Sequence, residues 1–406
     1  MLNYILDVIK HFEDPKHPLL GPNLKGLKAF GLLHHNKYTT WFFMALHLFS
    51  LFFVVSQFID LYIIRNDFKK VLLNMSITAL STVAISKTIS CLLLQSRLLK
   101  VFDAICEEEQ TALDRQNAFE VKLMKNYKNY ARIVTFSYWL VIFITNIVTI
   151  ISPFVKYATT SSYRDVIKNG IEPYPQILSS WFPFDKTKMP GYFFATVIHI
   201  VMTTQGTGVI AVYDANAVVI MTFLKGQFII LQEKCRRICE DNDEIANKSD
   251  FLMRIKECHR HHNFLLRVYS TFNLMISPVM YLYVLVCSIN ICCSVVQLNL
   301  DNVPTAQKLW VLEYALALFI QIFLFCWHSN EIKVESDRAD RGVYKSNWWK
   351  ADPSERRQLM LLAGKLARPR IMNAGPFTDL SIPTFIDIMK GSYSFYTLFT
   401  QIQEKQ

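Results

Sequence analysis

The sequence predicts an all-α protein: a seven-transmembrane helical bundle with a cytoplasmic N-terminus and helices extended into a cytoplasmic anchor region. Three observations carry this. Hydrophobic residues make up 52% of the 406, and they gather into blocks of about 20, the length that crosses a hydrocarbon core. Strongly charged segments separate those blocks, so the mean hydropathy is only +0.21. Lys and Arg are also unevenly placed. Of 43, 31 fall in segments 1–40, 95–132, 223–268 and 329–370, and only 10 in the alternate segments. Excess basic charge marks the cytoplasmic side.

The whole chain reads as one domain, beginning with a cytoplasmic segment at 1–40. That segment has no basic, apolar and small-residue succession of a secretory signal, so the first span is expected to act as the insertion signal. Spans one to six occupy 41–328, as blocks at 41–64, 71–94, 131–155, 191–212, 271–298 and 308–328. Trp41, Tyr62, Trp181, Tyr192 and Trp310 lie near block ends, where aromatic side chains favour the interface. Segments 107–130 and 213–268 keep helical composition beyond the membrane and are expected to prolong the spans. Between spans three and four, Pro173, Pro175, Pro183 and Pro190 predict an irregular extracellular cap. Residues 329–376 form a cytoplasmic helix and linker, and 377–400 a weaker seventh span.

The composition excludes several function classes. No P-loop, nucleophile elbow, zinc-protease motif or Gly-rich dinucleotide turn is present, so no enzyme is indicated and no cofactor is implied. The net charge of +10 follows from topology, and nucleic acid is not an indicated partner; membrane lipid is. Cys235, Cys239, Cys258, His259, His261 and His262 match no standard metal-site spacing. They read as reduced thiols and ordinary histidines, and no metal site is assigned. The sequons at Asn74 and Asn247 fall at a span start and in a cytoplasmic segment, so neither predicts a glycan. A transporter would carry mid-span acids. Here Lys87 is placed near the inner end of span two and Glu313 near the outer end of span six, where both are expected to snorkel to water.

The last segment is the unusual one. Asp379, Asp387 and Lys390 make it a poor lipid-facing helix, although Asp387 and Lys390, three apart, are placed to pair. Two readings follow from composition. Either the helix lies outside the bilayer, or other protein shields it and one stripe borders water. In the second, Ser394, Leu398 and Ile402 share a pore face with apolar gating rings, which demands an oligomer.

A small oily ligand needs apolar walls with few polar groups. The candidate faces are Met75, Ala79 and Val83 on span two, and Phe143, Asn146 and Ile150 on span three. Span four offers Phe194, Ile198, His199 and Met202, and span six Leu312 and Leu316. Each of these positions also fits ordinary helix packing. The run from Thr203 to Gly208 predicts close packing or a helix break rather than ligand contact.

The C-terminal third carries a family resemblance. Ser336, Ala339, Tyr344 and Trp348 follow span six, Arg356-Arg357 opens a helix, and Arg368-Pro369 closes it. Gly375, Leu380-Ser381, Phe385 and Ser392-Tyr393-Ser394 then lead through the last span. This pattern resembles the seven-span insect odorant receptors. The N-terminal DPKHPLLGPNLKGLKAFGLL and the FVVSQFIDLYIIR block are similar to moth and butterfly receptors, with the pheromone-responsive branch among them. His328-Ser329 departs from the glycine of many relatives.

The resemblance implies a heterotetramer around a cation pore, in the dendritic plasma membrane of olfactory neurons. This chain would be the ligand-tuned subunit, paired with the shared odorant co-receptor and responding to a small volatile odorant or pheromone. It lacks the co-receptor's longer segment between spans four and five. The resemblance puts the pore on the last span, Leu398 at the gate with Ile402 one turn beyond, and the pocket among the outer halves of spans two, three, four and six. The C-terminus would then be extracellular. The competing reading, a G-protein-coupled type of seven-span receptor, needs an outside N-terminus and an acidic-Arg-Tyr box after span three, and the sequence has neither.

Overall fold

In the computed structural model, the structure describes residues 13–14, 16–33, 37–159, 161–168, 172–239, 248–299 and 305–403. Among these, six helices are long and apolar enough to cross a membrane. A short α1 (Gly21–Ala29) precedes the first of them, α2 (Lys37–Ile63). The second is α3 (Phe68–Leu93), begun by Asp67, whose carboxylate accepts from the Lys70 amide at 3.2 Å; such a cap satisfies an otherwise orphaned donor. After α4 (Gln95–Asp114) comes the third, α5 (Ala118–Thr159), followed by the short α6 (Ser161–Lys168). The expected continuous helix across 107–130 is therefore interrupted. Gln116 takes a left-handed φ of 51° there, which turns the chain between α4 and α5.

The fourth spanning helix is α7 (Gly191–Arg236) and the fifth α8 (Lys248–Asn299). At 1.5 Å per residue these reach about 70 Å or more, far beyond a ~30 Å hydrocarbon core, so both project from the membrane at one end. That end carries the basic segments, and we call it the basic end. The opposite, cap end carries the segment between α5 and α7. The sixth spanning helix is α9 (Thr305–Asp337), followed by α10 (Arg341–Tyr344) and a 3₁₀ turn at Trp348–Lys350. A capping box of Asp352 and Glu355 then starts α11 (Pro353–Leu366).

The last helix, α12 (Ile382–Gln403), starts five residues later than the sequence predicts. Those residues are used otherwise: β1 (Asn373–Ala374) and β2 (Thr378–Asp379) pair antiparallel. Gly375 makes the ribbon possible. Its φ of +69° suits glycine, a Cβ there would meet the Tyr281 ring at 2.8 Å, and its amide donates to the Ser277 carbonyl at 3.0 Å. The ribbon is thereby fastened to α8 just before Pro278, which lies inside that helix.

The bundle is organised around α7. Its most apolar window is 94% buried, against 22% for α2. Enclosure by protein explains why α7 tolerates Asp214, Asn216, Thr222 and Gln227, all buried. It also explains Gly208, where a Cβ would stand 1.9 Å from the Phe30 ring. The helix runs unbroken through the Thr203–Gly208 run, so that run is not a break.

The cap is pinned rather than loose. Asp60 of α2 accepts from Ser179 at 2.5 Å and from Lys186 at 3.0 Å, and the Trp181 amide donates to the Ser56 carbonyl at 3.1 Å. Two expectations for charged residues are corrected. Lys87 does not snorkel: it is wholly buried, 2.6 Å from Asp214 of α7. Glu313 turns toward α5, where one carboxylate oxygen accepts from the Thr145 hydroxyl at 2.5 Å and the other is buried. In both cases a neighbouring helix supplies a polar partner.

Candidate ligand cavity and final helix

Between the cap and the Lys87–Asp214 pair lies a cavity of about 110 Å³. Its walls come from five spanning helices and the cap. Ser50 and Phe53 stand on α2, Leu80, Ser81 and Ala84 on α3, and Thr145 and Thr149 on α5. Met202, Thr203, Gly206 and Thr207 come from α7, Trp310 and Tyr314 from α9, and Leu178 closes the cap side. A cavity of ~150 Å³ with apolar walls admits benzene, so this one holds a smaller guest unless a wall side chain moves. Met202 is the adaptable wall residue, unbranched and soft.

The floor is an ion-pair network one helical turn deeper, since Lys87 follows Ala84 and Asp214 follows Ile210, both lining residues. Asp214 accepts from Tyr138 at 2.8 Å and from Gln321 at 2.5 Å, besides Lys87. The Lys87 ammonium also lies 4.9 Å from the centre of the Tyr283 ring. One carboxylate thus ties together α3, α5, α7 and α9, with α8 alongside. A buried charge is tolerated only with this degree of pairing.

The residues predicted for a pocket fall into three groups. Met202 lines the cavity. Ile150 and Ile198 pack behind its Phe53, Leu178 and Met202 wall, and His199, wholly buried, bonds Ser180 of the cap at 2.7 Å. Met75 packs against Leu72, Cys293 and Val296, and Ala79 and Val83 lie in the main core. Asn146 is buried beside Thr204, 3.4 Å away. The remaining four point out of the bundle: Phe143 is 60% exposed, Phe194 57%, and Leu312 and Leu316 55% each. The structure draws the cavity from the expected spans two, three, four and six but from neighbouring faces, and it adds span one. Thr203, Gly206 and Thr207 belong to its wall, although the sequence pattern suggested close packing or a helix break rather than ligand contact.

The final helix lies at the edge of the bundle. Ile388 and Ser392 are buried on its inner face, where Phe385 sits edge-on to Phe319 and Phe323 of α9, ring centres 5.0 and 5.5 Å away. The outer face carries Ile386, Asp387, Lys390, Tyr393 and Ser394, all exposed. Asp387 and Lys390 form no ion pair within 4.0 Å among the described residues; both extend from the open face. The side chains of Leu398 and Ile402 lie outside the described residues, although the helical backbone continues through both.

Among the described residues no group of three or more His, Cys, Asp or Glu is placed to hold a metal ion. His261 bonds Gln227 at 3.0 Å and His259 bonds Asn263 at 3.0 Å. All nine cysteines are free thiols. On α4, Glu109 accepts from the Leu19 amide at 3.4 Å, and the Cys106 sulfur contacts His17 at 2.8 Å. Burial pushes the Glu109 carboxyl up to about 7 and the Cys106 thiol up to about 12.

Comparison with known proteins agrees with this architecture. The structure superposes on the insect olfactory receptor OR5 from Machilis hrabei, solved in complex with eugenol, with a TM-score of 0.80 at 13% identity. That match covers 96% of this chain and all of the other. In sequence, the chain is 21% identical to odorant receptor Or2 of Anopheles gambiae over 353 residues, 86% of this chain and 89% of the relative. It is 28% identical to odorant receptor 46a, isoform B, of Drosophila melanogaster over about half of each chain. Residues 67–393 match the family model of the 7tm odorant receptors. A centrally enclosed fourth span, a cavity beneath the cap and a polar last helix are thus features of a protein that belongs to the insect seven-transmembrane odorant receptor family.

Proposed function

We propose that this chain is the ligand-tuned subunit of an odor-gated, non-selective cation channel, assembled as a heterotetramer with the shared odorant co-receptor. It sits in the plasma membrane of olfactory neurons with its N-terminus in the cytoplasm, so that the basic end is cytoplasmic and the cap extracellular. The observation that carries the reading is the outer face of α12. A spanning-length helix with Asp387, Lys390 and Ser394 on one open face is costly against lipid, but suits a water-filled path shared between subunits. Leu398 and Ile402 continue that helix and are assigned the gate.

The ligand is a small volatile molecule bound in the cavity below the cap. Its volume favours a compact odorant, and a long-chain pheromone would require the walls to open. Both ends of the response lie on one helix: α9 carries Trp310 and Tyr314 at the cavity and Phe319 and Phe323 against Phe385 of α12. A guest that displaces the first pair tilts α9 and moves the second. Recording volatile-evoked current with and without the co-receptor tests the reading. Current confined to the pair supports it, and a response abolished by G-protein blockade contradicts it.

A further inference from the structure

A second and larger crevice, of about 340 Å³, lies at the basic end between α5, α7 and α9. Tyr130 of α5, Lys225 and Ile229 of α7, and Trp327, His328 and Glu331 of α9 stand in its wall. The sequence puts these residues at a membrane boundary. Tyr130 directly precedes the apolar block of span three, and Trp327 stands at the end of that of span six. Lys225 follows an apolar run of α7 that ends at Leu224. Both Tyr130 and Trp327 are exposed, as aromatic rings are at the level of lipid head groups. Ile133 and Leu140, three and ten residues further along the same stripe of α5, are exposed as well. They form an apolar track leading from the crevice toward the middle of the bilayer.

The crevice carries one basic and one acidic side chain, side by side. Lys225 donates to Glu331 Oε2, and both side chains are partly exposed. That bond uses one of three ammonium protons and one of two carboxylate oxygens, so each group can take a further partner. With His328 neutral, its Nδ1 donates to the Leu324 carbonyl at 2.7 Å, so its Nε2 accepts from the Tyr130 hydroxyl at 3.1 Å. The Tyr130 oxygen keeps its lone pairs. The remaining polar side chains of the wall, Asn126, Tyr127 and Thr222, are neutral.

We propose that this crevice holds a phospholipid of the adjoining leaflet whose head group carries a phosphate and a primary ammonium, the phosphatidylethanolamine class. The phosphate meets Lys225, the ammonium donates to Glu331 and to the Tyr130 oxygen, and an acyl chain follows Ile133 and Leu140. A purely anionic head group sets its charge beside the Glu331 carboxylate. A quaternary ammonium brings no N–H to donate. Either mismatch loses one partly exposed charge contact, which corresponds to roughly twofold to fivefold weaker binding. The inference depends neither on the ligand cavity beneath the cap nor on which side of the membrane the basic end faces.

The test is native mass spectrometry of the purified full chain in detergent. Phosphatidylethanolamine, phosphatidylcholine and phosphatidylglycerol with identical chains are titrated separately. The ethanolamine lipid is expected to bind about twofold to fivefold more tightly than either of the others. Glu331→Gln leaves the lysine alone and is expected to move the preference to phosphatidylglycerol. Ile229→Trp fills the crevice and keeps both charges, and it is expected to abolish the selectivity while the melting transition shows a folded protein. Equal or tighter binding of phosphatidylcholine or phosphatidylglycerol to the parent chain overturns the head-group assignment. Selectivity that survives in folded Ile229→Trp, or a parent chain that retains no lipid, overturns the site itself.

Discussion

Lys87 Nζ lies 2.6 Å from Asp214 Oδ1, and neither side chain reaches solvent. The pair sits at the centre of the bundle, directly beneath the cavity. Removing one member of such a pair strands a buried charge, at a typical cost of about 3–5 kcal/mol, whereas replacing both with apolar residues is often nearly neutral. Lys87→Met and Asp214→Leu are each expected to lower the melting temperature in detergent and the yield at the cell surface. The double substitution is expected to recover much of the loss. Equal damage from the double and the single variants would show that packing, not charge, sets the cost.

Gly206 and Gly208 are two residues apart and behave oppositely. A Cβ at Gly208 stands 1.9 Å from Phe30, while one at Gly206 meets nothing within 4 Å. Overpacking a tight contact costs about 1–3 kcal/mol. Gly208→Ala should therefore destabilise the protein by about that much through displacement of α1. Gly206→Ala should melt like the parent but fill part of the cavity, raising the concentration of ligand needed for a response. Melting curves and dose–response recordings separate the two.

Glu109 gives the basic end a pH dependence. Its carboxyl is raised to about 7 by burial, so the folded state favours the protonated form. The stabilisation is complete below the ordinary carboxyl range near 4.5 and is lost as pH rises through about 7. Melting temperature should thus fall between about pH 5 and about pH 8, and Glu109→Gln should flatten that slope. An unchanged slope in the variant would assign the dependence elsewhere.

Phe385 connects the cavity helix to the last helix. Phe385→Ala removes its contacts with Phe319 and Phe323, so the maximal ligand-evoked current of the channel should drop. Half-saturation for a ligand whose binding quenches Trp310 fluorescence should stay close to that of the parent, because Phe385 is not among the residues lining the cavity. A shift in binding with unchanged maximal current would contradict this division of roles.

The sequence made the spans and their order legible because a run of apolar residues long enough to cross lipid is rare by chance. Charge asymmetry supplied the proposed direction, and Asp387 and Lys390 singled out the last helix. The cavity was read less well, for a physical reason. In lipid the outside of a bundle is as apolar as its inside, so Phe143, Phe194, Leu312 and Leu316 qualified by composition although they face outward. The inward faces were marked instead by small and hydroxylated residues: Ser81, Thr145, Thr149, Thr203 and Gly206. The Lys87–Asp214 pair escaped notice because its members are 127 positions apart in the chain and Asp214 fell just past the predicted end of span four. The central place of α7 had a local signal in Asp214, Asn216 and Gln227, polar residues in a helix that otherwise reads as apolar.

The most direct test of the account is the accessibility of the open face of α12 in the working channel. Ser394→Cys, expressed with the co-receptor, is exposed to a charged, membrane-impermeant thiol reagent while a volatile ligand holds the channel open. The account predicts an irreversible block of the current, faster with ligand than without, and no block when Ser392→Cys on the buried face is treated in the same way. Current that persists unchanged in Ser394→Cys after complete labelling would contradict the assignment of this helix to the ion path.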